Sequence, residues 1–269
     1  MIPIPEYLYH YTSLYGLEKI LSAQSIRLNS LINMDDLEEA KTSENQHYGK
    51  YCFVSCWTTD EMENIALWSM YTKNMKGVRI KLRKLPFETY DYNIYDKNIK
   101  IELTNTFYPK EFFCLKDAFP VYSDFFDRNN LLLSVEYTDD ENLICPCIKS
   151  YNEETNETAI YTNLLGQYKR SEWWFQKEIR YRMIFLPTGI KDFVDPVINT
   201  DKFSYAFNIE KDLSFNERYL KIKKEYFDEI EIMKGPKMDS EDSHRLQLLV
   251  EEYCPNAKII DSKLKGKIR

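Results

Sequence analysis

Glycine is scarce in this chain, at 7 of 269 residues, and none of the seven falls in a G-x-G-x-x-G or G-x-x-x-x-G-K-[ST] arrangement. Those loops need glycine because backbone amides must approach phosphate oxygens with no Cβ in the way. Their absence argues against Rossmann dinucleotide binding and P-loop hydrolysis. G-x-S-x-G is also missing, which argues against a serine hydrolase built on a nucleophile elbow. Positive charge is short as well: 36 Lys and Arg face 43 Asp and Glu, a net charge of −7 with pI near 5.3. A protein held mainly to phosphate backbones or anionic lipid relies on a basic field that is lacking here. The basic group Lys258, Lys263, Lys265, Lys267 and Arg269 reads as a solvated end.

No apolar run approaches the length of a membrane span, and Met1–Glu6 lacks the basic and apolar start of a signal peptide. A cytoplasmic protein with no membrane partner is expected, its six cysteines kept as thiols. Cys52 and Cys56 are spaced C-x-x-x-C, Cys145 and Cys147 C-x-C. Neither is the usual zinc spacing, so no metal site is expected.

What the chain has is a 43% apolar and 15% aromatic composition, enough for one large core. No repeat and no Gly/Ser linker divides it, so a single domain over 1–269 is expected, with about 86–130 a poorly patterned, aromatic-rich insertion. Ser13 has the position of an N-cap, and Leu14, Leu17 and Leu21 follow at helical spacing to about Ser22. Ile26 and Leu28 alternate with Arg27 as in a strand, giving strand, His10 turn, helix, strand. Residues 30–50 read as an acidic loop with one exposed helical turn and no role of their own.

Residues 51–57 are sized for a strand in a sheet interior. Thr58 and Glu61 have the spacing of a capping box before a helix that carries Trp68 and Tyr71. That helix stops at the turn from Lys73 to Gly77, and 78–82 alternate as a strand. The stretch 131–137 reads as a helix end or a strand, and 155–167 has helical composition. Over 174–185, period two puts Phe175, Ile179, Tyr181, Met183 and Phe185 on one side, with Lys177 the exception. Gln176, Glu178, Arg180 and Arg182 share the other side, which should line a cleft or sit at a sheet rim. Strands near 219–222, 229–232 and 258–261 and an amphipathic helix over 240–253 complete an α+β pattern.

The chemistry-bearing residues form ordered blocks. Tyr9-His10-Tyr11-Thr12-Ser13-Leu14 comes first, then Phe53-Val54-Ser55-Cys56 with Leu67-Trp68-Ser69-Met70-Tyr71, then Lys76-Gly77-Val78. Trp173 with Glu178 and Arg180, and Gly235-Pro236-Lys237, close the series. These blocks resemble an uncharacterised bacterial and phage family, a domain of unknown function. Its members are similar to abortive-infection proteins and to the diphtheria-toxin-like ADP-ribosyltransferases with their His, Tyr, Glu signature, and the resemblance spans the whole chain. It implies an ADP-ribosyltransferase-like split or mixed sheet with flanking helices, in which the His10 and Glu178 strands lie adjacent across a central cleft.

The resemblance further implies that His10 and Thr12 hydrogen-bond the ribose and nicotinamide end of NAD. Tyr71 would stack on nicotinamide and Glu178 would contact its ribose, with Gln176 completing a Gln-x-Glu motif that disfavours an arginine acceptor. Tyr11, Ser55 and Trp68 fall in the cofactor-binding blocks. Arg27, Arg180 or Arg182 would take the pyrophosphate, and Tyr15 or Tyr48 would be the second stacking ring. The residue types suit the chemistry, because a carboxylate near ribose stabilises the oxocarbenium-like charge that develops as the N-glycosidic bond breaks. The expected function is an NAD-consuming mono-ADP-ribosyltransferase acting as a toxin or phage-defence effector on a protein or nucleic-acid acceptor, with a neutralising or defence-system partner. A non-enzymatic sensor or partner-binding module on the same scaffold, and a plain NAD glycohydrolase, are the alternatives.

Overall fold

The computed structural model describes residues 4–44, 47–96, 99–121, 131–154, 157–189 and 211–269. Residues 122–130, which close the poorly patterned insertion, lie outside them.

Strand β1 (Tyr7–Thr12), helix α1 (Leu14–Ala23) and strand β2 (Ser25–Ser30) form the opening unit. Ser13 caps α1, its Oγ accepting from Gly16 N at 3.1 Å, and Leu14, Leu17 and Leu21 are the buried stripe. His10 lies inside β1 and not in a turn, because β1 pairs with β4 (Val78–Arg83) without interruption from Tyr7↔Arg83 to Thr12↔Val78.

Strand β3 (Cys52–Thr58) is followed by helix α2 (Ile65–Tyr71). The Thr58–Glu61 capping box does not form. Thr58 ends β3 and its Oγ1 accepts from Asp60 N. Asn64 caps the helix instead, its Oδ1 accepting from Ala66 N at 2.9 Å and Leu67 N at 3.3 Å.

Within the insertion, β5 (Tyr90–Asp96) and β6 (Ile99–Thr106) make a hairpin, followed by β7 (Phe119–Pro120). The stretch 131–137 resolves into strands β8 (Leu132–Ser134) and β9 (Glu136–Thr138). Where 155–167 suggested a helix, β10 (Lys149–Asn152) pairs with β11 (Glu157–Ile160), and a one-turn 3₁₀ helix, Thr162–Leu164, follows. β-branched Ile160 fits a strand better than a helix.

Strand β12 (Tyr168–Arg170) runs parallel to β9. The expected strand over 174–185 is two elements: a 3₁₀ segment, Ser171–Gln176, and β13 (Glu178–Leu186). Lys177, the exception in the periodicity, is the joint between them, in left-handed conformation at φ 43°. β14 (Glu217–Lys221), β15 (Glu231–Lys234), α3 (Ser240–Tyr253) and β16 (Lys258–Ile260) finish the chain.

Among the described residues the main sheet has ten strands, with the path β14-β2-β3-β1-β4-β15-β16, with β13 branching from β3 and with β7 and β8 pairing on β13. It is mixed, since β15 and β16 run parallel and the other pairs antiparallel. The architecture is therefore α+β with a mixed sheet. Ile179, Tyr181, Met183 and Phe185 on one face of β13 enter the main core with Leu17 of α1 and Leu246 of α3. Each such side chain withdrawn from water contributes roughly 1.5–3 kcal/mol before the entropy of ordering is set against it.

The branching at β3 positions the site. β13 pairs along β3 from Glu178↔Thr58 to Ile184↔Cys52, filling one edge. Since a strand has two edges, β1 and β2 must share the other: β2 meets β3 at Phe53 and Val54, β1 only at Thr58. The His10 and Glu178 strands are consequently not adjacent. β3 lies between them, and Tyr9, Thr58 and Glu178 stand side by side across three strands.

Candidate functional site

Where β1 and β2 diverge, Ser55, Cys56 and Trp57 fall between the two pairings on that edge of β3. A buried backbone carbonyl there needs a donor from elsewhere. His10 supplies it, Nδ1 donating to the Cys56 carbonyl at 2.9 Å. That bond fixes the tautomer: a carbonyl only accepts, so Nδ1 carries the proton and Nε2 is left as an acceptor. Burial lowers the His10 pKa, keeping the ring neutral. The ring lies against Trp57, centroids 5.0 Å apart.

Into this fork opens a cavity of about 800 Å³, within the size range of small-molecule sites. His10, Tyr11 and Thr12 of β1 line it, as do Arg27 of β2 and Ser55 of β3. Tyr71 at the end of α2, Gln176 and Glu178 complete the predicted residues that reach it. Trp68 does not line it. It is fully buried behind Tyr11, ring centroids 4.8 Å apart, and its Nε1 donates to Glu63 at 3.0 Å. Of the two proposed second stacking rings, Tyr15 lines the cavity and Tyr48 is fully buried elsewhere.

Arg180 does not line the cavity either. Its side chain is 0% exposed, and it sits beneath Glu178 as a fork between two carboxylates. Nε donates to Glu178 Oε1 at 2.6 Å, Nη2 to Glu39 Oε2, and Nη1 to the Gly166 carbonyl at 3.0 Å. Arg182 is spent on the carbonyls of Asn163 and Leu165. Neither guanidinium is free for pyrophosphate, which leaves Arg27 of the three; Lys19 also lines the cavity. Arg27 is exposed and pairs loosely with Glu217 at 3.4 Å.

Lys169 of β12 was not legible as a site residue, yet its Nζ donates to Gln176 Oε1 at 2.9 Å and Glu178 Oε2 at 3.2 Å. It also lies 4.6 Å from the Trp173 ring centre. Burial alone would raise the Glu178 pKa, but the Arg180 and Lys169 charges outweigh it and hold the carboxyl at about 2. Burial pushes Glu39 upward against the same two cations. The floor of the site is thus a neutral quartet of two acids and two bases.

Gln176 is a strut. Its Oε1 accepts from Lys169 and its Nε2 donates to the Tyr71 hydroxyl at 2.8 Å, so both ends are spent inside the wall. Burial and the neighbouring Asp35 carboxylate raise the Tyr71 pKa, so the ring stays a neutral phenol whose hydroxyl accepts from Gln176. Asp35 and Glu39 both come from the segment first read as a loop without a role. Only a tertiary contact marks them: Glu39 meets Arg180 across 141 positions.

The cavity can therefore offer a neutral imidazole acceptor, an ionised carboxylate and a fixed phenol ring, and Lys19 and Arg27 also line it. No cluster of His, Cys, Asp and Glu suited to a metal occurs among the described residues. No helix among them is long and apolar enough to cross a membrane. Comparison with models of known protein families, with curated proteins and with solved structures finds no match for the chain.

Proposed function

We propose that the chain consumes NAD, releasing nicotinamide and transferring ADP-ribose to a protein or nucleic-acid acceptor, as a toxin or phage-defence effector. The observation that carries this reading is the convergence of His10, Tyr71 and Glu178, which are far apart in sequence, on the one cavity opened by the fork at β3. The resemblance to abortive-infection proteins supplies the cellular setting.

The chemistry follows from the groups in place. Nicotinamide leaves with the electron pair of the N-glycosidic bond, and positive charge spreads over C1 and the ring oxygen of ribose. Glu178 is ionised at any ordinary pH, and each carboxylate oxygen can accept beyond the bond it already makes. A ribose hydroxyl held there and on His10 Nε2 places negative charge beside the cation as it forms. Tyr71 offers the cationic pyridinium a fixed aromatic face. Lys19 and Arg27 match the pyrophosphate. The acceptor nucleophile then bonds C1 as its proton passes to water, so that one proton is released with each nicotinamide.

The double cationic hold on Glu178 favours a second reading, a non-enzymatic module that binds through this cavity. Incubation with labelled NAD, alone and with cell lysate, separates the possibilities. Transfer predicts label on a lysate component, with Glu178→Ala lowering the rate by about 10²–10³-fold, as for loss of a transition-state electrostatic group, and His10→Ala lowering it too. Nicotinamide release from the purified chain alone, with no labelled product, identifies a glycohydrolase. Neither signal above the two variants leaves the binding module.

A further inference from the structure

One side chain on the cavity floor has no part in the reaction as written. Glu39 is buried, with 1% of its side chain exposed, and lines the cavity. Arg180 holds its Oε2, while Oε1 has no hydrogen-bond partner in the protein. A buried unpaired carboxylate oxygen is costly, and a second cation is close: Lys169 Nζ stands 3.8 Å from Glu39 Oε1 and 3.2 Å from Glu178 Oε2.

Lys169 has three N–H donors, two of them used on Gln176 and Glu178. Its stem is flexible, whereas the Arg180 fork is planar and tied at Nε, Nη1 and Nη2. Arg180 therefore fixes both carboxylates while Lys169 is free to choose between them. We propose that Lys169 is a positioning residue with two seats, on Glu178 in this structure and on Glu39 once a ribose hydroxyl occupies Glu178 Oε2. This rests on the reading of Glu178 as the ribose-contacting carboxylate. The exchange closes a 3.8 Å gap to a charge-assisted bond of about 2.8 Å. It leaves no charge unpaired and frees Glu178 at the moment of binding.

A double-mutant cycle tests it: nicotinamide release and ADP-ribose binding are measured for wild type, Glu39→Gln, Lys169→Met and the double variant, with melting curves to check folding. Lys169→Gln replaces Lys169→Met if the latter does not fold. Glu39→Gln weakens the second seat, which is taken when the ribose binds, so KM should rise and ADP-ribose affinity fall roughly tenfold or more, the usual range for a charged hydrogen bond, with kcat little changed. In the Lys169→Met background Glu39 has no cation to receive, and Glu39→Gln should have no further effect. An active wild type in which Glu39→Gln costs the same in both backgrounds, or nothing in either, overturns the two-seat inference alone. A wild type that neither releases nicotinamide nor binds ADP-ribose overturns the reading of the site and this inference with it.

Discussion

At Arg180 one guanidinium keeps two buried acids from repelling each other. Replacing it with Met leaves Glu39 and Glu178 with only Lys169, and a buried charge stripped of its partner costs about 3–5 kcal/mol. Urea unfolding of Arg180→Met should show that loss; a change below 1 kcal/mol would mean that the carboxylates are not ionised together. Acid should dissolve the same contact. The folded pKa of Glu178 lies at about 2, below the ordinary 4.5, so its contribution is complete above pH 4.5 and is lost as pH falls from there towards 2. Glu39 is shifted upward and acts above 4.5, outside that window. The melting temperature of wild type minus that of Glu178→Gln should therefore be steady down to about pH 4.5 and shrink below it. His10 and Glu178 were singled out by the resemblance their blocks carry, each being by itself open to a purely structural reading, and both line the cavity. Arg180 was misplaced as a phosphate ligand because a polar position in a strand pattern says nothing of depth, and its second acid arrives from another segment.

Helix α2 shows how element boundaries escape a sequence pattern. Thr58 and Glu61 had the spacing of a cap, but Asn64 does the capping, and its Nδ2 also ties the helix start to the Phe175 carbonyl at 2.9 Å. Asn64→Ala should cost about 0.5–2 kcal/mol, read by thermal or denaturant unfolding, and should weaken ligand binding by loosening Tyr71 and Gln176 together. The helix ends in three consecutive residues with positive φ: Lys73 at 45°, Asn74 at 59° and Met75 at 61°. Such conformations are costly for non-glycine residues and persist where the surroundings enforce them. Gly77 lets that turn close on β1, since a Cβ there would lie 2.2 Å from the Thr12 carbonyl oxygen. Gly77→Ala should destabilise by about 1–3 kcal/mol, the usual range for overpacking; an unchanged melting temperature would mean that the two segments part at no cost. Strands with period two and the helix over 240–253 were legible because their patterns are local. The joint at Lys177 showed only as an exception in the alternation, and the hairpin of β10 and β11 was hidden by a composition that suits either structure.

For the molecule as a whole, the deciding feature is that two strands share one edge of β3, and the cavity is the space their divergence opens. The opening strand, helix and strand were legible, as was the α+β class. The fork was not, because it is set by registers linking residues far apart: Tyr9 with Thr58, Phe53 with Ser30, and Glu178 with Thr58. The arrangement gives His10 a structural bond that also sets what it can offer the cavity, since the nitrogen that satisfies Cys56 turns the other nitrogen into an acceptor. The most direct measurement is calorimetric titration of NAD into the purified chain, beside His10→Ala and Tyr71→Ala variants shown by circular dichroism to be folded. One NAD per chain, with affinity lost or reduced at least tenfold in both variants, is the predicted result. No heat of binding to the wild type, or equal affinity in all three proteins, would contradict the assignment of the fork as an NAD site.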